Sequence, residues 1–298
     1  MYPVEKINST LISHLESNLP DHDFRDVLKY AVLPPGKLFR PQLIYALAED
    51  LESLNENHKF FASSIEIHHS YTLVHDDLPA MDDDDYRRGK LSTHKKFGQW
   101  QAILAGDALL GMSYGILSNI DSPKLNELLR SYHEYTGASG LILGQVLDLE
   151  SKDSTLQDII RIHTLKTARL IQLSLVGSNI LSDKPIACHD CKSLGLSIGV
   201  LFQLIDDLTE LTEDINEHER KINPYLNYEL LDIEKCLETE FNKMNSILND
   251  NKLENLNSII TSYLAKMNNK ITIGEEKIKT YLSEISLDRL KKIITIQL

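Results

Sequence analysis

His75-Asp76-Asp77-Leu78-Pro79-Ala80-Met81-Asp82-Asp83-Asp84-Asp85-Tyr86-Arg87-Arg88-Gly89 is the stretch on which the reading of this 298-residue chain turns. It sets six aspartates in ten positions and follows them at once with two arginines. Phe61, Ile65, His68 and Thr72 recur at helical spacing and lead into Asp76. Pro79 must end or kink that helix, because it lacks an amide donor and its ring collides with the preceding turn. A charge run is ordinarily a solvated face or a tail. This one closes a long apolar helix in the interior of the sequence. Crowded carboxylates repel unless cations neutralise them, and an all-oxygen cluster suits Mg²⁺, Mn²⁺ or Ca²⁺. The arginines would be redundant for a bare cation. They make sense for a metal–phosphate assembly, because guanidinium grips phosphate through paired hydrogen bonds. The loop is no EF-hand, since that motif's glycine and terminal glutamate are missing.

A second acidic cluster lies about 130 residues downstream, in Phe202-Gln203-Leu204-Ile205-Asp206-Asp207-Leu208-Thr209-Glu210. Gln203, Asp206 and Glu210 share one side of a helix. Leu196 to Ile205 is too apolar for a helix displayed to water, so its carboxylates should face a cavity or a counter-charge. Two such clusters facing each other across a bundle interior would form a metal site.

The rest of the chain is helical in pattern. Val4, Ile7, Leu11 and Leu15 mark an amphipathic first helix. Further helices are expected over about 23–32, 97–118, 124–135, 138–149 and 192–211, and Ser154-Thr155-Leu156-Gln157 reads as a capping box ahead of a helix carrying Lys166. Leu237, Phe241, Met244 and Leu248 continue the period near the end. With 13 Gly and 9 Pro, chain breakers are scarce, and there is no alternating strand signal. The net charge of −13 disfavours nucleic-acid binding. Three cysteines build no disulfide framework, which points to a reducing cytoplasm. The longest apolar run, Ile103 to Leu117, is interrupted by Asp107 and too short to span a bilayer, so no membrane insertion is expected. Cys188-His189-Asp190-Cys191 has a redox or zinc spacing but no second ligand pair, and belongs to a helix start or loop.

Glu66 to Leu110, with its Asp-rich motif and Ile103-Leu104-Ala105-Gly106-Asp107-Ala108-Leu109, resembles the trans-isoprenyl diphosphate synthases, nearest to the bacterial farnesyl diphosphate synthases. Gly36-Lys37 with Arg40-Pro41, Gly144-Gln145 with Asp148-Leu149, Lys166-Thr167 and Phe202-Gln203 with Asp206-Asp207 extend the resemblance over about residues 36 to 210. The resemblance implies an all-α, single-domain antiparallel helix bundle over 1–298 around a central cavity. It implies head-to-tail condensation of isopentenyl diphosphate with dimethylallyl or geranyl diphosphate, through an allylic carbocation, to farnesyl diphosphate and pyrophosphate. Carried over residue by residue, Asp76, Asp77, Asp82, Asp206 and Glu210 hold Mg²⁺, three ions per site with Mn²⁺ as a substitute. Arg87, Lys166 and Lys221 contact the allylic diphosphate, and Lys37, Arg40, His69 and Arg88 hold isopentenyl diphosphate. Thr167 and Gln203 line the reacting centre, Tyr71 and Thr72 limit chain length, and a homodimer uses a helix such as Ile103 to Leu117. Gln145 and Asp148 read as supporting partners.

The sequence departs from the family pattern at four places. Leu38 and Ala168 replace a usual Arg and Gly, Glu210 ends the second motif in place of Asp, and the segment 215–224 is short and lacks glycines. Three other readings stand beside the farnesyl synthase. They are a geranylgeranyl diphosphate synthase, a non-catalytic subunit of a heteromeric synthase, and a terpene cyclase, which would not need Lys37, Arg40, His69 and Arg88.

Overall fold

Amphipathic repeats become helices here wherever an apolar face finds cover. The computed structural model describes residues 2–150, 155–215, 220 and 222–296 and is 74% helical. Helix α1 (Val4–Glu16) buries Ile7, Leu11 and Leu15, the residues whose spacing announces it. The chain divides into two compact units, residues 1–129 with 177–184 and residues 130–176 with 185–298.

In the first unit, α1, α2 (Phe24–Val32), α3 (Phe39–Asp50) and α6 (Gln99–Leu117) all pack on α4 (Glu56–Asp76). Surrounded in this way, α4 buries Phe61, Ile65, Ile67, Tyr71 and Val74, each worth roughly 1.5–3 kcal/mol when fully covered. Its buried polar groups are matched locally. Ser64 Oγ donates to the Ser113 carbonyl at 2.8 Å and Ser70 Oγ to the Glu66 carbonyl at 3.0 Å. The Asn55 side chain caps α4 by accepting from the amides of Asn57 and His58. The helix stops at Asp76, three residues before Pro79.

Two strands follow, where the sequence gives no strand signal. Tyr86–Arg87 (β1) pairs antiparallel with Lys90–Leu91 (β2), Tyr86 opposite Leu91 and Arg87 opposite Lys90. Strands of two residues are too short to show alternation. The turn between them has φ of 53° at Arg88 and 75° at Gly89, the two positive angles of a type I′ hairpin. Lys90 Nζ fastens the hairpin to the end of α2, donating to the carbonyls of Tyr30 (2.5 Å) and Leu33 (2.7 Å) while sitting 3.9 Å over the Tyr30 ring. The helix expected over about 97–118 is α6, and Gly98, with a φ of 113°, separates it from a short helix before it, α5 (Thr93–Phe97).

The second unit holds α8 (Leu141–Glu150), α9 (Leu156–His163), a π-helical segment Thr164–Ala168 and α11 (Cys188–Glu210). It also holds α12 (Pro224–Asn227), α13 (Leu230–Asp250), α14 (Glu254–Ile273), α15 (Glu275–Ile278) and α16 (Glu284–Thr295). In sequence, α7 (Leu125–Thr136) and α10 (Arg169–Leu181) contribute residues to both units. The capping box at α9 sits one residue later than expected: Thr155 accepts from the Asp158 amide, and the Asp158 carboxylate accepts from the Thr155 amide. Ser154 lies outside the described residues. Cys188 opens α11, so the Cys188–Cys191 segment is a helix start. No helix among the described residues is long and apolar enough to cross a membrane.

The π-helical segment packs against α8 and α11. It approaches α11 so closely that a Cβ on Gly199 would lie 2.2 Å from the Ala168 Cβ. Gly199 therefore makes room for the methyl group that this chain carries at 168. Gly199→Ala is expected to destabilise the protein by ~1–3 kcal/mol through overpacking. Adding Ala168→Gly should recover part of that loss, so that the two changes couple favourably in a double-mutant cycle read from urea unfolding.

Candidate active site

Asp76 is the last residue of α4, and the loop after it folds back on itself. The amide of Asp82 donates to the Asp76 carbonyl at 2.9 Å, and those of Met81 and Asp83 donate to the Leu78 carbonyl at 2.8 and 3.1 Å. This turn brings Asp82, exposed, beside the half-buried Asp76. Asp77 points the other way. It is 2% exposed and accepts from Arg87 Nε at 2.7 Å, while Arg87 Nη2 also reaches Asp84 at 2.6 Å. Burial pushes the Asp77 carboxyl upward and the Arg87 guanidinium pulls it back. Asp83, Asp85 and His94 form a neighbouring group whose ligand atoms lie within 4.8 Å of one another, with Lys95 Nζ 2.7 Å from Asp85. Divalent cations with hard oxygen preferences fit the donor chemistry of this loop.

Arg88, one residue on, leaves the hairpin turn towards a different set of groups. Gly36 comes so near that a Cβ there would lie 3.0 Å from the Arg88 guanidinium. Arg88 Nη2 lies 4.0 Å from Glu66 Oε1, and the Glu66 side chain is 3% exposed. Burial raises the Glu66 carboxyl, against the pull of Arg40 and Arg88. His69, one turn further along α4, is held far below the usual histidine pKa by burial and then by Arg40 and Arg88, so its ring is neutral at pH 7. Leu38, in place of the family's arginine, is 3% exposed and holds a left-handed φ of 52°. That backbone costs roughly 1–2 kcal/mol, which burying the side chain offsets. Lys37 and Arg40 flank it.

In the second unit the functional side chains form a chain of hydrogen bonds. Thr167 Oγ1 donates to Gln203 Oε1 at 3.0 Å, and Gln203 Nε2 donates to Asp207 Oδ1 at 2.9 Å. Both ends of the Gln203 amide are thus fixed. Asp207 Oδ2 lies 3.5 Å from His163 Nε2, and Asn223 Nδ2 donates to the Asp207 carbonyl at 2.7 Å. Burial lowers His163 to about 4. Lys166 Nζ pairs with Asp148 Oδ2 at 2.5 Å. Asp206 is exposed at the surface of α11, and Glu210 lies one turn on, 3.4 Å from Asn223 Nδ2.

A polyprenyl synthetase family model matches residues 21–223, which span both Asp clusters. The chain belongs to the polyprenyl synthetase family. It is 38% identical over 241 residues to a farnesyl diphosphate synthase of Buchnera aphidicola, covering 76% of this chain and 81% of that protein. A chloroplastic geranylgeranyl pyrophosphate synthase of Arabidopsis thaliana is 34% identical over 230 residues, covering 72% of this chain and 64% of that protein. Among solved structures, the Helicobacter pylori geranyltransferase complexed with magnesium and isoprenyl diphosphate superposes with a TM-score of 0.72 at 27% identity, over 89% of this chain and 99% of that one. This prenyl synthetase is thus all-α, as its sequence pattern implies.

In this synthetase the first unit gathers Asp76, Asp82 and Arg87 at the hairpin, and Arg88, Arg40 and His69 around Glu66. The second unit gathers Thr167 and Gln203, with Lys166 on the same π-helical segment. Tyr71 is buried on α4 with its ring edge-on to His68 and His75, and burial raises its hydroxyl to about 12. Thr72 Oγ1 is spent on the His69 carbonyl, 2.8 Å away. Lys221 lies outside the described residues. Sequence reasoning missed Glu66, Asp207, His163 and Asn223. Glu66 stands three residues before His69 on α4, and Asp207 stands four after Gln203 on α11. Both spacings were available.

Burial raises the Asp207 carboxyl well above its ordinary range, with Glu210 adding to the effect and the Gln203 hydrogen bond opposing it. The folded state therefore favours the protonated acid. This stabilisation is complete below the unfolded pKa of ~3.9 and is lost as pH rises towards the folded value. In chelator-containing buffer, Asp207→Asn should become more stable relative to wild type as pH rises from 5 to 7. Parallel pH dependences of urea unfolding would show that Asp207 is ionised in both states.

Proposed function

We propose that this chain condenses isopentenyl diphosphate, head to tail, with dimethylallyl and then geranyl diphosphate, forming farnesyl diphosphate and releasing pyrophosphate. One observation carries the reading: a single hairpin gives Arg87 to the aspartates and Arg88 to the Gly36, Glu66 and His69 group. Two anion sites suit two diphosphate substrates. A cyclase needs one. The farnesyl diphosphate synthases among its relatives support the same product.

Asp76, Asp82, Asp206 and Glu210 would hold Mg²⁺, three ions with Mn²⁺ able to replace them, whose charge would offset the negative charge that grows on the departing diphosphate, while Asp77, expected as a ligand, is buried against Arg87 and braces the motif instead. Arg87 and Lys166 add fixed positive charge to the same group, with Lys221 as a further contact. Lys37, Arg40, His69 and Arg88 hold isopentenyl diphosphate by its own diphosphate, which leaves its alkene to face the allylic carbon. The allylic C–O bond breaks and its electron pair leaves with the diphosphate. The alkene then donates the pair that forms the new C–C bond, and released pyrophosphate accepts the proton lost in restoring a double bond. No side chain is required as base. Thr167, whose hydroxyl hydrogen is committed to Gln203, turns lone pairs elsewhere, as suits a neighbour of a carbocation. Apolar walls exclude water, and Tyr71 closes the space into which the product grows. A cytoplasmic location agrees with three unpaired cysteines, Cys188, Cys191 and Cys236. A homodimer would cover Trp100, Ile103, Leu104 and Tyr114, the exposed apolar side chains of α6.

Purified protein given Mg²⁺, geranyl diphosphate and labelled isopentenyl diphosphate should yield the fifteen-carbon diphosphate. A twenty-carbon product would point to the geranylgeranyl synthases, a hydrocarbon to a cyclase, and no turnover to a partner-dependent subunit. Asp76→Asn should lower kcat by ~10²–10³. Tyr71→Ala should lengthen the product on chromatography, and an unchanged chain length would remove Tyr71 from the cavity floor.

A further inference from the structure

We infer that Glu66 is a positioning residue for the isopentenyl diphosphate site, its buried carboxylate holding Arg88 in the arrangement that receives the anion. The inference rests on the assignment of that site in the preceding section. A carboxylate is an expensive choice on the buried face of α4, where neighbours such as Ile65 and Ile67 are apolar. It must be matched by charge. Arg88 supplies part of that match from 4.0 Å, and the charge of Arg40 also opposes the effect of burial on it.

The arrangement solves a problem that a substrate-binding site for a diphosphate faces when empty. The like charges of Arg40 and Arg88 repel, and a long side chain loses entropy when held in one place. Glu66 gives the Arg88 guanidinium a fixed counter-charge 4.0 Å away. A guanidinium has five N–H donors in a fixed fork, so pairing with one carboxylate leaves donors for an incoming diphosphate. Arg88 is confined on another side by the backbone at Gly36, where no side chain intervenes. Its own backbone is fixed by the left-handed turn position. One negative charge against two positive ones also leaves the pair attractive to an anion, and His69 remains neutral beside them.

Charge and position make opposite demands, which makes the inference testable. Replacing Glu66 by the isosteric amide makes the site more positive. If Glu66 acted only through its charge, Glu66→Gln would bind an anion more tightly. If it positions Arg88, binding weakens. The probe is inorganic pyrophosphate titrated by calorimetry into wild-type and variant protein without metal, since the arginine site needs none. Glu66→Gln should weaken pyrophosphate binding by about tenfold and raise the KM for isopentenyl diphosphate to match. The KM for geranyl diphosphate and the melting temperature should stay at wild-type values, and Glu66→Asp should recover part of the loss. Equal or tighter binding in Glu66→Gln overturns the inference. So does a parallel rise in both KM values with a lowered melting temperature. Should Glu66→Gln fail to fold, Glu66→Asp decides: weaker pyrophosphate binding at wild-type stability supports positioning, while wild-type affinity, or a second failure to fold, overturns it. A wild-type protein whose pyrophosphate binding depends on Glu66 but which forms no C–C bond would overturn the functional reading and leave the inference standing. A wild type that does not bind pyrophosphate overturns the inference.

Discussion

The Asp77 carboxylate at the end of α4 is buried, and Arg87 is what makes that burial tolerable. Removing one member of such a pair leaves an uncompensated charge at a cost of about 3–5 kcal/mol. The pair does more than satisfy itself. It ties the hairpin to the helix that carries the first Asp motif, so the positions of Asp76, Asp82 and Arg88 all follow from it. Lys90 secures the far side of the same hairpin on α2. A two-stranded ribbon of this length has no stability of its own. It exists because ion pairs and carbonyl contacts hold it at both faces.

The second unit reaches order by a different route. Its functional side chains sit where the helical ladder changes from α to π, a local widening often found at working sites. Close approach of α11, permitted at Gly199, lets Thr167 meet Gln203 directly. Gln203 is then fixed by Asp207, whose own backbone is clamped by Asn223. Thr167, Gln203 and Asp207 are linked end to end by hydrogen bonds, and a buried row of that kind favours one arrangement of its members.

Much of this was legible in the chain before any coordinates. The Asp-rich run and the following arginines announced anion and metal chemistry, and the three-four spacing of Ile7, Leu11 and Leu15 announced a helix. What stayed hidden shares a cause. The hairpin depends on two residues in the left-handed region, one of them Arg88, a type rarely found there. Asp77 looked like its neighbours Asp76 and Asp82, and only the position of Arg87 separates it from them. Thr155 displaced Ser154 as the cap because Asp158, rather than Gln157, returned the hydrogen bond. Glu66 and Asp207 are ordinary letters whose meaning comes entirely from being enclosed.

The hairpin also says how this segment can drift over evolutionary time. Arg87 ends a strand and Arg88 opens the turn at a positive φ, so the reversal of the backbone between them sends the two side chains to different groups. Inserting a residue between 87 and 88 would undo that division. The placement of the turn within this short segment thus encodes which anion each arginine meets.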